Sequence, residues 1–264
     1  MADISSFLKT GWENIWKNKF LWGFSFLILI EPIARIFIPY QTNTDLFTSL
    51  LSLVISLVFL YLSILSLAGV SFISWRVAVG ELVSLKVAYQ ASKHISPRIA
   101  GLIFSLFLIL SPFICAVFIY SFKYPPQVTD FAHNFLLISI PLSAFSAIFY
   151  FSLAEIIIHD SKVGKSLKAA WTVFSRHFGV LIFIGLLLAI TSYLINVIFG
   201  AGLMVAQNNL NILSLKRFDF FSPNLSFANN NFYILASTIL TIFLRTYSTS
   251  VFTIAYLKYN NVTK

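Results

Sequence analysis

The chain has 264 residues, of which 58% are hydrophobic and only 10% are charged, and its formal net charge is +9. Soluble domains carry roughly 25% charged residues, so this composition excludes an ordinary soluble domain and indicates a protein that folds in a bilayer. The single cysteine excludes a disulfide framework and a cysteine zinc site. Because the sequence has no H-E-x-x-H pair, no Gly-rich phosphate loop and no G-x-S-x-G turn, it predicts no catalytic residue, metal site or cofactor.

The first predicted element is an amphipathic helix over Ile4–Asn18. Apolar residues recur at helical spacing on one face, and Lys9, Glu13 and Lys17 line the other face at i,i+4. A helix with lysines on one face and aromatic residues on the other lies in the membrane interface. The alternative is a loop helix that packs on the bundle from the aqueous side.

Six apolar segments follow, each long enough to cross a bilayer as a helix. The second and fourth are overlong, so we expect tilt or ends that emerge among the headgroups. The first has no small-residue cleavage site and is interpreted as an uncleaved span. The sequence therefore predicts an all-α polytopic bundle in a single domain over residues 1–264. Its transmembrane helices are residues 20–40, 46–75, 98–120, 135–159, 178–203 and 232–256.

Two further amphipathic stretches repeat a motif of the first. Leu8–Trp12, Leu85–Tyr89 and Leu167–Trp171 each read Leu-Lys-x-small-aromatic, and each lies just ahead of a predicted span. We therefore expect about three interfacial helices, the second of which ends at the turn signal Ser96-Pro97. The candidate contacts with lipid headgroups are Trp12, Lys17, Lys86, Tyr89, Lys168, Trp171 and Arg176.

The distribution of Lys and Arg predicts the orientation of the chain. With a cytoplasmic N-terminus, thirteen of these residues lie on the inner side and only three lie in outer loops. This bias predicts a multi-pass protein of the cell membrane with both termini in the cytoplasm. It also predicts that the basic residues interact with the anionic inner leaflet of the bilayer rather than with nucleic acid.

The motif copies predict an internal repeat. Spans two and three with the helix between them form one unit, and spans four and five form the next, with 82 residues between Lys86 and Lys168. Both units run in the same direction, so the repeat is parallel, about an axis along the membrane normal. Span six, the N-terminal helix and span one would complete a third unit that the chain ends split. A chance match between apolar segments is the alternative.

The segments Gly11-Trp12 with Trp16–Trp22, and Ser166–Trp171, carry a resemblance to a known group. The chain resembles prokaryotic six-span membrane proteins related to the membrane domain of glycerophosphodiester phosphodiesterases. In that group a Trp-x(3)-Lys-Asn-Lys-like segment precedes span one. The resemblance implies a fold and a membrane location. It implies no activity, because the acidic metal-binding barrel of the phosphodiesterases is absent from this chain.

Four charged residues lie inside predicted spans: Glu31, Arg35, Glu155 and Arg245. Each costs roughly 2.5–3.5 kcal/mol on insertion scales, so each is a candidate for function. Glu155 is near the inner end of its span, and we expect it to snorkel to the headgroups. Glu31 and Arg245 are expected near mid-depth, and Arg35 lies towards the outer end of the first span.

Glu31 and Arg245 are predicted to form an ion pair. Glu31 lies about 16 Å along its span and Arg245 about 19 Å, at 1.5 Å per residue. The split repeat would make their spans neighbours, and two opposite charges at equal depth stabilise each other in hydrocarbon. Arg35, one turn beyond Glu31, is the rival partner. Pro32 is expected to kink this span.

Three classes of function are open from the sequence. The predicted one is a non-enzymatic integral membrane protein that interacts with lipid or with membrane-protein partners. A small transporter or permease using Glu31 and Arg245 is the alternative, and a polar cavity that reaches Glu31 would favour it. A membrane-embedded enzyme is the third, but the sequence lacks paired His or Asp clusters near one interface.

Overall fold

The structure is a computed structural model that describes residues 2–30, 46–123, 131–208 and 231–260. All regular secondary structure in these ranges is helical, which confirms the all-α class for them. The elements are α1 (Ala2–Lys17), α2 (Lys19–Phe26, continued by a 3₁₀ turn at Leu27–Leu29), α3 (Leu46–Ala78), α4 (Leu85–Lys123), α5 (Phe131–His159), α6 (Val163–Arg176), α7 (Phe178–Asn208) and α8 (Asn231–Tyr259).

The helices pack around a central group of three. Helices α3, α5 and α8 contact one another, and α2, α4 and α7 lie at the periphery. Each peripheral helix contacts two central ones: α2 packs on α8 and α3, α4 on α3 and α5, and α7 on α5 and α8. The short helices α1 and α6 pack mainly on α8 and α5.

Within the described residues, four helical segments are long and apolar enough to cross a membrane: Leu53–Ala78, Leu85–Phe113, Ile140–His159 and Ser237–Tyr259. A fifth candidate is α6 joined to Phe178–Ser192, two helices bent by 98°. The chain is therefore a multi-span helical membrane protein with four or five candidate spans in its described part. The first of the six predicted spans continues into residues 31–40, which lie outside the described residues.

Residues Asn18 and His177 separate two amphipathic helices from the apolar helices that follow. The Asn18 side chain accepts a hydrogen bond from the Phe20 backbone N–H at 3.0 Å and donates one to the Val83 carbonyl at 3.3 Å. It is thus the N-cap of α2 and also ties this break to the loop after α3. At His177 the chain turns by 98° between α6 and α7.

The second amphipathic stretch does not end where the sequence predicted. Helix α4 runs without interruption from Leu85 through Pro97 into the apolar segment, so the turn expected at Ser96-Pro97 is wrong. Pro97 removes one backbone donor and leaves the Lys93 carbonyl without its helical partner. Because Lys93 and Pro97 are exposed, that carbonyl is on a surface where solvent or headgroups can satisfy it.

Close approaches at glycine join the helices at several places, two of which are at Gly11 and Gly185. A Cβ on Gly11 would lie 2.5 Å from Cγ2 of Val251, so α1 sits directly against α8. A Cβ on Gly185 would lie 2.8 Å from Cβ of Ser143, which brings α7 against α5. Small residues allow such contacts between membrane helices, where dispersion forces rather than the hydrophobic effect hold the helices together.

The buried core is concentrated at one end of the bundle, which we call the basic end. It is the end at which α3, α5 and α8 finish and α4 begins, and it carries Arg76, Lys86, Arg98, Lys168 and Lys258. The largest fully buried side chains of the described residues lie there, among them Tyr256, Phe7, Phe151 and Phe252. Farther along the same helices, large apolar side chains such as Leu57 and Phe107 are exposed, as expected of surfaces that face lipid.

Candidate functional site

The three motif copies expose the same positions. The small residues Gly11, Ala88 and Ala170 are buried against the bundle. The lysines that precede them by two positions, Lys9, Lys86 and Lys168, are exposed. The aromatic residues that follow them are about half exposed: Trp12 by 48%, Tyr89 by 49% and Trp171 by 58%.

The exposed aromatic residue of the first copy belongs to a larger cluster. Trp12 makes edge contacts with Trp16 at 5.9 Å and with Phe243 at 5.6 Å between ring centroids. Trp22 stacks on Phe243 at 5.8 Å. Trp12 and Trp16 remain about half exposed, so the cluster offers an exposed aromatic surface beside α8. Lys17 and Arg176, the other predicted headgroup contacts, are also exposed.

Glu155 does not snorkel, which corrects the expectation from its position. Its side chain is 8% exposed and turns inward. The Tyr256 hydroxyl donates a hydrogen bond to Oε2, and the Ser161 hydroxyl donates one to Oε1 at 3.0 Å. Two hydroxyl donors make burial of the carboxylate cheaper than a reach through the headgroups.

The network around Glu155 links two central helices. Asn260 donates from Nδ2 to the Tyr256 hydroxyl oxygen at 2.6 Å, and His159 Nε2 lies 3.9 Å from Oε2 of Glu155. Tyr256 is fully buried, so α8 is joined to α5 by a polar contact inside the core. A buried carboxylate with all these partners is a structural element.

Arg245 lies at the wall of a cavity between α5, α7 and α8. The cavity has a volume of about 250 Å³. Arg245 donates from Nη2 to the Ser63 carbonyl of α3 at 3.1 Å. Within the described part of the chain, no carboxylate lies within ion-pair distance of its guanidinium. The polar residues that line the cavity with Arg245 are Ser143, Ser146, Tyr150, Ser192, Thr241 and Ser248.

The sequence carried a signal for this cavity that was missed. Ser143, Ser146 and Tyr150 follow each other at i, i+3 and i+7, so they share one face of α5. Thr241 and Ser248 flank Arg245 at i−4 and i+3, which places them on one face of α8. Polar stripes at helical spacing inside apolar spans predict a polar surface within the bundle. Glu31 and Arg35, the other intramembrane candidates, lie outside the described residues.

A second site missed from the sequence lies at the surface of the basic end. Arg98 on α4 donates to both carboxylate oxygens of Asp160, with Nη2 to Oδ2 at 3.2 Å, and to the Asp160 carbonyl at 2.9 Å. His94 Nε2 lies 3.5 Å from Oδ1. The hydrogen bond from Arg98 lowers the pKa of the Asp160 carboxyl below its ordinary range. His94 and Arg98 are at i,i+4, which was the available signal.

The described residues contain no group of three or more His, Cys, Asp or Glu side chains that could hold a metal ion. Comparisons of the chain with family models, with curated proteins and with solved structures gave no match.

Proposed function

We propose that this chain is a non-enzymatic integral membrane protein whose basic end binds anionic lipid through its three amphipathic segments. The observation that carries the proposal is the common burial pattern of the motif copies, in which a buried small residue holds the segment on the bundle. The lysine and the aromatic residue beside it stay exposed. Lysine next to an exposed aromatic ring suits the boundary between headgroups and acyl chains.

The architecture that accompanies this function is six spans with a pseudo-threefold repeat about the membrane normal. The contacts of the described helices support it, because each peripheral helix lies between two of the three central helices. The packing of α1 on α8 supports a third unit made from the two ends of the chain. Relationship to the membrane domain of glycerophosphodiester phosphodiesterases is part of the same proposal and accounts for the six spans.

We test lipid binding with a triple variant, Lys9→Gln, Lys86→Gln and Lys168→Gln, in nanodiscs with and without anionic phosphatidylglycerol. Anionic lipid should raise the melting temperature of the unmodified chain. The triple variant should lose most of this increase, since each lysine near a charged surface contributes about 1 kcal/mol. The matched control, with Arg at all three positions, should keep the increase. Equal increases in both variants would contradict the proposal.

The orientation is tested separately by reporter fusions. We propose that both termini are cytoplasmic and that the protein lies in the cell membrane, because most Lys and Arg residues then lie inside. A reporter fused after Lys264 should score cytoplasmic, and one inserted near Asn224 should score external. The opposite pattern would overturn the orientation without affecting lipid binding by the motif residues.

A small transporter is the second candidate function, and one observation favours it. The wall of the cavity at Arg245 carries a guanidinium and several hydroxyl groups, although apolar helices surround it. Polar groups in a cavity within the spans are what a carrier needs to hold a ligand between the two sides of a membrane.

A further inference from the structure

The cavity at Arg245 has room for a molecule larger than water. Its volume of about 250 Å³ compares with roughly 10–15 Å³ for one water on the same measure. Three helices contribute hydroxyl groups to its wall, and Gly185 lies at its edge, where α7 packs against α5. The space is sufficient for a small organic molecule, and the wall offers hydrogen bonds from several directions.

One hydroxyl in this wall has no partner. Ser143 is 3% exposed, and its Oγ makes no hydrogen bond within the described part of the structure. A buried hydroxyl without a partner is costly, and it marks a place where a ligand or water completes the geometry. Because Ser143 lines the cavity, a molecule held there is within reach of it.

The cavity lies within the candidate spans, far from the basic end. At 1.5 Å per residue, Arg245, Ser143 and Ser192 are roughly 20–24 Å along their helices from the basic end. In a hydrocarbon core of ~30 Å this is past the midplane. A guanidinium at that depth favours an anion, since an uncompensated charge in hydrocarbon is expensive.

The charge and the donor geometry define the ligand. Arg245 uses one donor on the Ser63 carbonyl, and a guanidinium has five N–H groups in a planar fork. A planar fork matches a carboxylate in a bidentate arrangement, and one positive charge balances one negative charge. The surrounding hydroxyls match ligand hydroxyl groups rather than a purely apolar tail.

We infer that this cavity is a binding site for a small hydroxycarboxylate, held by Arg245 at its carboxylate and by Ser143 and its neighbouring hydroxyls at its hydroxyl group. The inference deepens the second candidate function, but binding does not require transport. Glu31, the predicted partner of Arg245, and the ligand carboxylate are then alternative partners of the same guanidinium. Displacement of one carboxylate by another requires no change in net charge at the site.

The test uses the full chain in detergent micelles with sodium lactate as the probe, measured by thermal-shift titration and calorimetry. Lactate should stabilise the protein, propionate should bind several-fold more weakly because it lacks the hydroxyl, and glycerol should give no shift at the same concentration. Equal effects of lactate and glycerol would overturn the inference, since they would show that no anion is recognised.

Variants locate the site. Arg245→Gln should weaken lactate binding by at least about tenfold, as expected for loss of a charged hydrogen-bonding group. If Arg245→Gln does not fold, Ser143→Ala decides, with an expected loss of a few-fold. Its matched control is Ser250→Ala, another buried hydroxyl without a partner in the described region, on α8 but not in the cavity wall. Equal affinities of these two alanine variants would contradict the site.

Two further measurements test the role of Glu31 and the transporter function separately from ligand binding. Glu31→Gln should bind lactate at least as tightly as the unmodified chain, and weaker binding would contradict a role of the ligand as alternative partner. Uptake of labelled lactate by proteoliposomes tests the carrier function. Binding without uptake would support the site and contradict the transporter, so the two can fail independently.

Discussion

Glu155 and Arg245 are two charged residues inside predicted spans, and their surroundings in the structure differ. Glu155 lies in the packed core of the basic end, where Tyr256 and Ser161 donate to its two oxygens. Arg245 lies farther along α8, beside a cavity, and its hydrogen-bond partner among the described residues is the Ser63 backbone carbonyl. Depth in the bilayer alone therefore does not assign a role to a charge. The role of such a charge follows from how completely it is hydrogen-bonded and from the space beside it.

The same contrast holds for the two ends of the bundle. At the basic end α1, α5 and α8 bury aromatic side chains such as Phe7, Phe151 and Tyr256. Toward the other end the helices expose apolar side chains and leave the cavity at Arg245 between α5, α7 and α8. Stability is thus expected to depend mainly on the basic end, and ligand binding on the region around Arg245.

The largest expected effect is on the Glu155 network. Glu155→Ala removes the acceptor of two buried hydroxyls and should lower the free energy of unfolding by about 3 kcal/mol. Glu155→Gln keeps one carbonyl acceptor and should cost about 1 kcal/mol. Denaturant unfolding of the full chain in micelles measures both changes.

The control for this network is Glu81→Ala in the loop after α3. Glu81 pairs with Arg76, but its side chain is 56% exposed, so its removal should change stability by less than about 1 kcal/mol. Equal losses in Glu81→Ala and Glu155→Ala would break the comparison, since burial and partners would then make no difference.

A smaller effect on stability is expected at the level of Arg245. Glu31→Gln or Arg245→Gln alone should lower the folded yield, because each leaves the other charge uncompensated in hydrocarbon. The double variant should recover part of the yield. The coupling free energy should be of the order of 1 kcal/mol, as between contacting residues. Size-exclusion chromatography after solubilisation measures the folded yield of each variant. Additive losses would rule out the pair.

Much of this architecture could be predicted from the sequence, because hydrophobic length and helical periodicity act locally. The amphipathic character of α1 and α6 and the break at Asn18 were visible as residue patterns. The end of the second amphipathic stretch could not be predicted. Whether Pro97 ends a helix depends on the surroundings of the Lys93 carbonyl in the folded bundle. Such surroundings are set by tertiary contacts.

The same distinction between local patterns and tertiary contacts holds for the candidate sites. Position in the sequence identified Glu155 and Arg245 as unusual, but it gave Glu155 the wrong environment. The contact that decides its role comes from Tyr256, 101 residues away in the chain. The cavity at Arg245 is formed by faces of three helices, and only two of these faces have polar spacing that a single sequence reveals.

The smallest expected effect concerns Asp160, at the exposed surface of the basic end. Arg98 holds the pKa of this carboxyl below its ordinary range. A carboxyl with a lowered pKa in the folded state stabilises the fold above its ordinary pKa, near pH 4, and this contribution disappears as the pH falls through the lowered value. Unlike the Glu155 network, the contact of Arg98 and His94 with Asp160 is open to solvent, so salt should screen it. Thermal melts from pH 6 down to pH 3 should therefore show a small loss of melting temperature that Asp160→Asn abolishes. In 1 M NaCl the difference between the two proteins at pH 6 should shrink. A loss in Asp160→Asn as large as that of Glu155→Ala would show that this surface contact, and not the buried network, holds α4 and α5 together at the basic end.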